Sequence, residues 1–137
     1  MARSLGDNVL VSGQIAPEDV AGFAARGVTR IVNNRPDGEE AGQPAGAEIE
    51  AAARAAGVDY AFIPVAGGFS EGQLSAMKAA LTDSEGDVLL FCKSGTRSTY
   101  LWALARARQG ADPDELIMRA AQAGYDLDPI RPWLQGR

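Results

Sequence analysis

The stretch "GDVLLFCKSGTRSTYLWALARARQG", residues 86–110, decides the fold. Gly86 to Phe91 is an apolar run bounded by turn residues, the pattern of a strand buried on both faces. The sequence then turns abruptly polar and carries a glycine at Gly95. From about Ser98 it becomes helical and stops at Gly110. A strand, a tight loop and a helix therefore follow one another, with Cys92 at the carboxyl end of the strand.

Similar units precede it. "NVLVSG" (8–13) and "VTRIVNN" (28–34) are short strands, as is "VDYAFIPV" (58–65). "APEDVAGFAARG" (16–27) has helix signals: Pro17 in the first turn, Glu18 and Asp19 early, Gly27 at the end. "AEIEAAARAAG" (47–57) is an alanine-rich helix. The spacing predicts a further helix from Ser70 to about Thr82, with Ser70 and Gln73 forming a capping box. Asp112 followed by Pro113 marks another helix start, and "DPIRPWLQGR" (128–137) a short terminal helix or turn. "RPDGEEAGQPAG" (35–46) is a polar, Pro/Gly-rich loop. Such alternation implies an α/β domain over residues 1–137, with a mostly parallel central sheet of four to five strands flanked by helices. Ligands of these sheets bind beyond the carboxyl ends of the strands, where Cys92 lies.

Composition narrows the chemistry. The net charge is −5, which argues against a nucleic-acid surface. No apolar run approaches the roughly 20 residues needed to span a bilayer. The first residues have no signal-peptide pattern, so the expected location is the cytoplasm. The chain has 1 cysteine and no histidine. That removes Ser-His-Asp and Cys-His mechanisms, His-ligated metals and zinc or Fe–S clusters. No cofactor or metal is expected.

The loop after Cys92 has the makings of an anion cradle. The amides of Lys93, Ser94, Gly95, Thr96 and Arg97 can form a nest, and the following helix adds its positive end. Gly95 permits a backbone angle closed to side chains. Arg97 supplies a planar fork for two oxygens of a tetraoxyanion. The same field favours a thiolate at Cys92, and Ser98 is placed to donate a hydrogen bond to the sulfur.

The segment Cys-x4-Arg-Ser is similar to the signature of cysteine-dependent phosphatases, Cys-x5-Arg-Ser/Thr, with one spacer fewer. Together with "VSGQIAPEDVAGFAARGVTRIVNNRPDGEE", "YAFIPV" and "FCKSGTRSTYLWA", the chain resembles the bacterial phosphatase-like domain of beta-lactamase hydrolase-like proteins, over about residues 9–107. The resemblance implies a cysteine-phosphatase-like fold (phosphotyrosine phosphatase II type) and hydrolysis of a phosphomonoester, on a protein or a small molecule. Cys92 would attack phosphorus, the loop amides and Arg97 would hold the equatorial oxygens, and Ser98 would assist departure of the thiolate. Two departures stand out. Phe91 takes the place usually held by histidine, and "IPVAGGFSEG" lacks the aspartate often found there; its Glu71 reads as the first turn of a helix. Asp37, Glu39 and Glu40 are the remaining acid candidates. Asp37 is named here as a general acid, against a turn role that "PDG" would explain by itself. Arg35 is a second cation over the pocket or a surface residue, and Gln14 a candidate for the rim.

The Cys-x4-Arg loop also resembles that of rhodanese sulfurtransferases, where the cysteine carries a persulfide, and a smaller nest suits one sulfur. Some relatives are fused to domains of the persulfide dioxygenase kind. A third reading is an anion-binding module without turnover. Leu101, Trp102, Tyr125 and Trp133 are expected to pack in the interior or among the C-terminal helices.

Overall fold

The expected buried strand, β5 (Asp87–Phe91), is the centre of a five-stranded sheet in the computed structural model, which describes residues 2–136. It is flanked by β2 (Val9–Ser12) and β3 (Val28–Asn33), both parallel to it. β4 (Asp59–Phe62) extends the sheet beyond β3, and β1 (Arg3–Gly6) closes the other edge, antiparallel to β2. Side chains of β5 alternate between two layers. Val88 and Leu90 join the larger core with Leu101, Trp102 and Met77, whereas Leu89 and Phe91 join Ile31, Ile49 and Val20 on the opposite face. Full burial on both sides explains the unbroken apolar run; each such side chain contributes about 1.5–3 kcal/mol relative to exposure.

α1 (Val20–Ala25), entered through a single 3-10 turn at Pro17–Asp19, and α2 (Gly46–Ala55) cover one face. α3 (Glu71–Leu81), α4 (Thr96–Arg108), α5 (Pro113–Gln122) and the short α6 (Arg131–Gly136) cover the other. The capping box at α3 is as expected: Ser70 Oγ accepts from the Gln73 amide at 3.1 Å, and Gln73 Oε1 accepts from the Ser70 amide at 2.7 Å. At α5, Asp112 occupies the expected cap position but its side chain makes no capping bond; Pro113 provides the start. Trp133 is 66 % exposed and does not pack as expected, whereas Leu101 and Trp102 lie in the core.

β1 was not legible as a strand, because Leu5 is its only buried residue. Its hairpin turn did leave a trace. Asp7 and Asn8 both have positive φ, 52° and 66°, the two-residue type I′ geometry that such residues tolerate. For the site, the register matters most. Ser12 and Asn33 both pair with Phe91, and Asn33 also pairs with Phe62. All four parallel strands therefore end in one row, and Gln14, Arg35, Val65 and Cys92 emerge on one rim.

Candidate active site

Cys92 leaves β5 buried, 1 % exposed. The Gly95 amide donates to its sulfur at 3.1 Å. A trans peptide is planar, so its carbonyl and its N–H point in opposite directions. A carbonyl held on the outside of the loop thus aims the next amide inward. Three successive carbonyls are held in this way. Lys93 O accepts from the Gln14 amide at 3.2 Å, and Ser94 O from the Tyr125 hydroxyl at 2.9 Å. Gly95 O accepts from the Thr99 amide at 2.9 Å and from Thr99 Oγ1 at 2.8 Å. Thr99 N–H makes the first helical bond of α4; of the amides before it, Gly95 N–H donates to the Cys92 sulfur and Thr96 N–H to Ser94 Oγ at 3.4 Å. Gly95 has φ +96° and precedes α4, which begins at Thr96 rather than Ser98. A Cβ at Gly95 would run into the Tyr125 hydroxyl, and one at Gly13 would lie 2.9 Å from Lys93 O. Ser94 and Thr96 link their hydroxyls across the cradle's outer edge at 3.1 Å.

Arg97 lies over this loop, and its donors can be counted. Nη1 donates to Glu39 Oε2 at 2.7 Å and to Val65 O at 2.8 Å, and Nη2 donates to Glu39 Oε1 at 3.0 Å. Glu39 thus takes the end-on fork. A guanidinium has five N–H donors. The Nε–H and the outer Nη2–H remain, and together they form the side-on fork suited to two oxygens of an anion. Glu39 raises the Arg97 pKa above its ordinary value, against the effect of burial, with the charge of Cys92 adding to the rise.

Glu39 is shared. Its Oε1 also accepts from Arg35 Nε at 2.8 Å. Arg35 is neither a second cation facing an anion nor a surface residue: it is 3 % exposed, with Nη1 on Gln14 Oε1 at 3.0 Å and Nη2 on Glu40 Oε1 at 2.9 Å. Burial opposes its charge, but Glu39 and Glu40 outweigh burial and lift its pKa. Glu40 also pairs with Lys93 Nζ at 3.1 Å. Lys93 and then Arg35 lower the Glu40 pKa. Arg97 first, and Arg35 second, push the Glu39 pKa down from 4.5 to about 2. Both glutamates are therefore carboxylates at neutral pH and cannot give a proton to a leaving group. A cleft of about 350 Å³ lined by Ser12, Gln14, Glu18 and Phe23 shares only Gln14 with this network and is not the cradle.

Two sequence expectations change. Ser98 is fully buried, and its hydroxyl donates to Asn34 Oδ1 at 2.7 Å instead of to the sulfur. The orientation of Asn34 is fixed because its Nδ2 donates to Ile63 O at 2.9 Å. Ser98 has one proton to give, and it goes to Asn34, so the bond to the sulfur comes from Gly95. Asp37 has a partner that neither a general acid nor the local turn called for: its Oδ1 accepts from the Gly46 amide at 2.7 Å, at the positive N-terminus of α2. Glu71 opens α3 as expected and pairs with Arg108 at 2.6 Å. Asn34 and Tyr125 were not recognised as part of the site. "NN" at a strand end looks like ordinary turn chemistry, and nothing near Tyr125 in sequence points 31 residues back to Ser94.

Comparison with known proteins identifies the family and the fold. The family described as beta-lactamase hydrolase-like protein, phosphatase-like domain, matches residues 2–109. The chain is 39 % identical over 133 residues to a beta-lactamase hydrolase-like protein of Xylella fastidiosa, covering 96 % of this chain and 31 % of that protein. It therefore spans about a third of the length of that relative. A candidate phosphatase from Neisseria meningitidis, solved by crystallography, superposes with a TM-score of 0.84 at 32 % identity, covering 97 % of this chain and 95 % of that one. The catalytic core of a PP-IP phosphatase from S. cerevisiae shares the fold at TM-score 0.65 and 13 % identity, covering 95 % and 88 %. The fold is thus cysteine-phosphatase-like, as the sequence implied.

Proposed function

The chain belongs to the phosphatase-like domain family of beta-lactamase hydrolase-like proteins, and from that premise we propose that it is a cysteine-dependent phosphatase acting on phosphomonoesters through Cys92. The observation that carries this reading is one buried sulfur that accepts from the Gly95 amide and whose charge acts on Arg97, an arginine with two donors not engaged by Glu39 or Val65. The sulfur attacks phosphorus, an S–P bond forms, and the P–O bond to the leaving group breaks with its electron pair on that oxygen. Inward amides and the Arg97 fork balance the charge on the equatorial oxygens. Water then attacks phosphorus, releasing inorganic phosphate and the thiolate. Lys93, Ser94, Gly95, Thr96 and Arg97 supply the phosphate-binding loop. Residues 1–137 act as one phosphatase-like domain. Among the described residues no helix is long and apolar enough to cross a membrane; we place the activity in the cytoplasm.

The carboxylates of the 35–46 loop set the substrate class. Glu39 and Glu40 are held ionised, and Asp37 is engaged at α2. None is placed to protonate a leaving oxygen, so the reading favours esters whose oxygen leaves without help. Aryl phosphates such as phosphotyrosine leave in this way, and alkyl phosphates do not. The test is phosphate release from p-nitrophenyl phosphate and from an alkyl phosphate. Turnover of the aryl ester that disappears in Cys92→Ala supports the reading. Thiocyanate formation from thiosulfate and cyanide without phosphate release would replace it with sulfur transfer. Phosphate binding with neither reaction would leave an anion-binding module.

A further inference from the structure

Tyr125 lies beyond residue 109, where the family match ends, yet its hydroxyl bonds the cradle at Ser94 O, 2.9 Å away. The turn that carries it is firmly attached. The Tyr125 amide donates to Ala120 O at 2.8 Å, Arg3 Nη1 donates to Ala123 O at 3.1 Å, and Leu127 is fully buried. Burial first, and the charge of Cys92 second, raise the pKa of the Tyr125 hydroxyl above its ordinary value, so it remains a donor. The carbonyl it holds belongs to the same peptide as the Gly95 N–H, which points the opposite way, onto the sulfur. Next to Gly95, that peptide is easily rotated. A half-turn would replace the donor facing the sulfur with a carbonyl lone pair.

We propose that Tyr125 is a positioning residue for the cradle: through Ser94 O it fixes the Ser94–Gly95 peptide and so keeps the Gly95 N–H on Cys92. This extends the functional unit past the family segment to the turn after α5, and only its kinetic consequence rests on the phosphatase reading. The test is Tyr125→Phe, which keeps the ring and its packing. Cys92 is the chain's only cysteine, so its ionisation can be followed by thiolate absorbance, with Cys92→Ala as the blank. The variant is expected to ionise at higher pH than the wild type, to turn over p-nitrophenyl phosphate about fivefold more slowly, the worth of one ordinary hydrogen bond, and to melt no more than a few degrees lower. A thiolate titration that superimposes on the wild type would overturn the proposal, whatever the turnover. If the wild type released no phosphate, the phosphatase reading would fail while the titration still decided the role of Tyr125.

Discussion

Replacing Glu39 with glutamine removes one charge from the junction of Arg35 and Arg97 while keeping the shape. The fall of its pKa from 4.5 to about 2 corresponds to an upper bound of roughly 3 kcal/mol of stability, at about 1.4 kcal/mol per pH unit. The Glu39 side chain is 28 % exposed, and solvent screening reduces this to about 1–2 kcal/mol. Arg35, 3 % exposed, keeps Gln14 and Glu40, so its charge is not stranded. For a domain of this size the loss lowers the melting temperature by roughly 3–8 °C. The sign with pH follows from the depressed folded value. The contribution is fully present above 4.5 and is lost as pH falls toward about 2. Wild type and Glu39→Gln should therefore differ most at neutral pH and converge as the medium is acidified below 4.5. Thermal melts of both proteins over that range are the assay. In parallel, kcat/KM for p-nitrophenyl phosphate should drop about tenfold as the Arg97 end-on fork loses its anchor. Equal melting temperatures at neutral pH, or a gap that does not narrow in acid, would refute the reasoning.

Two further outcomes follow from the same contacts. Asp37→Ala removes the carboxylate at the α2 N-terminus and should lower stability by about 1 kcal/mol in thermal melts while leaving kcat on an aryl phosphate unchanged; a selective loss of alkyl-phosphate turnover would restore Asp37 as a general acid. Ser98→Ala leaves Asn34 Oδ1 buried without its donor and should destabilise by about 1–3 kcal/mol, with the covalent intermediate in rapid-quench mass spectra no more abundant than in the wild type; a larger build-up would return Ser98 to the sulfur.

What the sequence disclosed and what it hid follow a physical division. Features set by neighbours along the chain were legible: the doubly buried run ending at Phe91, the Ser70–Gln73 box, the Pro113 start, and the glycine and arginine after Cys92. The rim was legible too, because parallel strands must end together. Contacts made across the chain were not. Arg35 and Glu39 are spaced like a helical ion pair but sit in a loop, so their spacing did not suggest pairing, and Arg35 was read as facing an anion or solvent. Ser98 was assigned to the sulfur because Asn34, 64 residues away, could not be seen as its partner. Tyr125 does pack against the core as expected, but its hydroxyl bond to Ser94 O was hidden for the same reason. β1 was missed because a four-residue edge strand with one buried side chain carries almost no periodic signal.

The most direct test of the central claim is the intact mass of the protein quenched during turnover of p-nitrophenyl phosphate, with the modified residue located by fragmentation. The account predicts a single phosphoryl group on Cys92, absent from Cys92→Ser. Phosphate release that survives loss of Cys92, or an added sulfur from thiosulfate where no phosphoryl adduct forms, would contradict it.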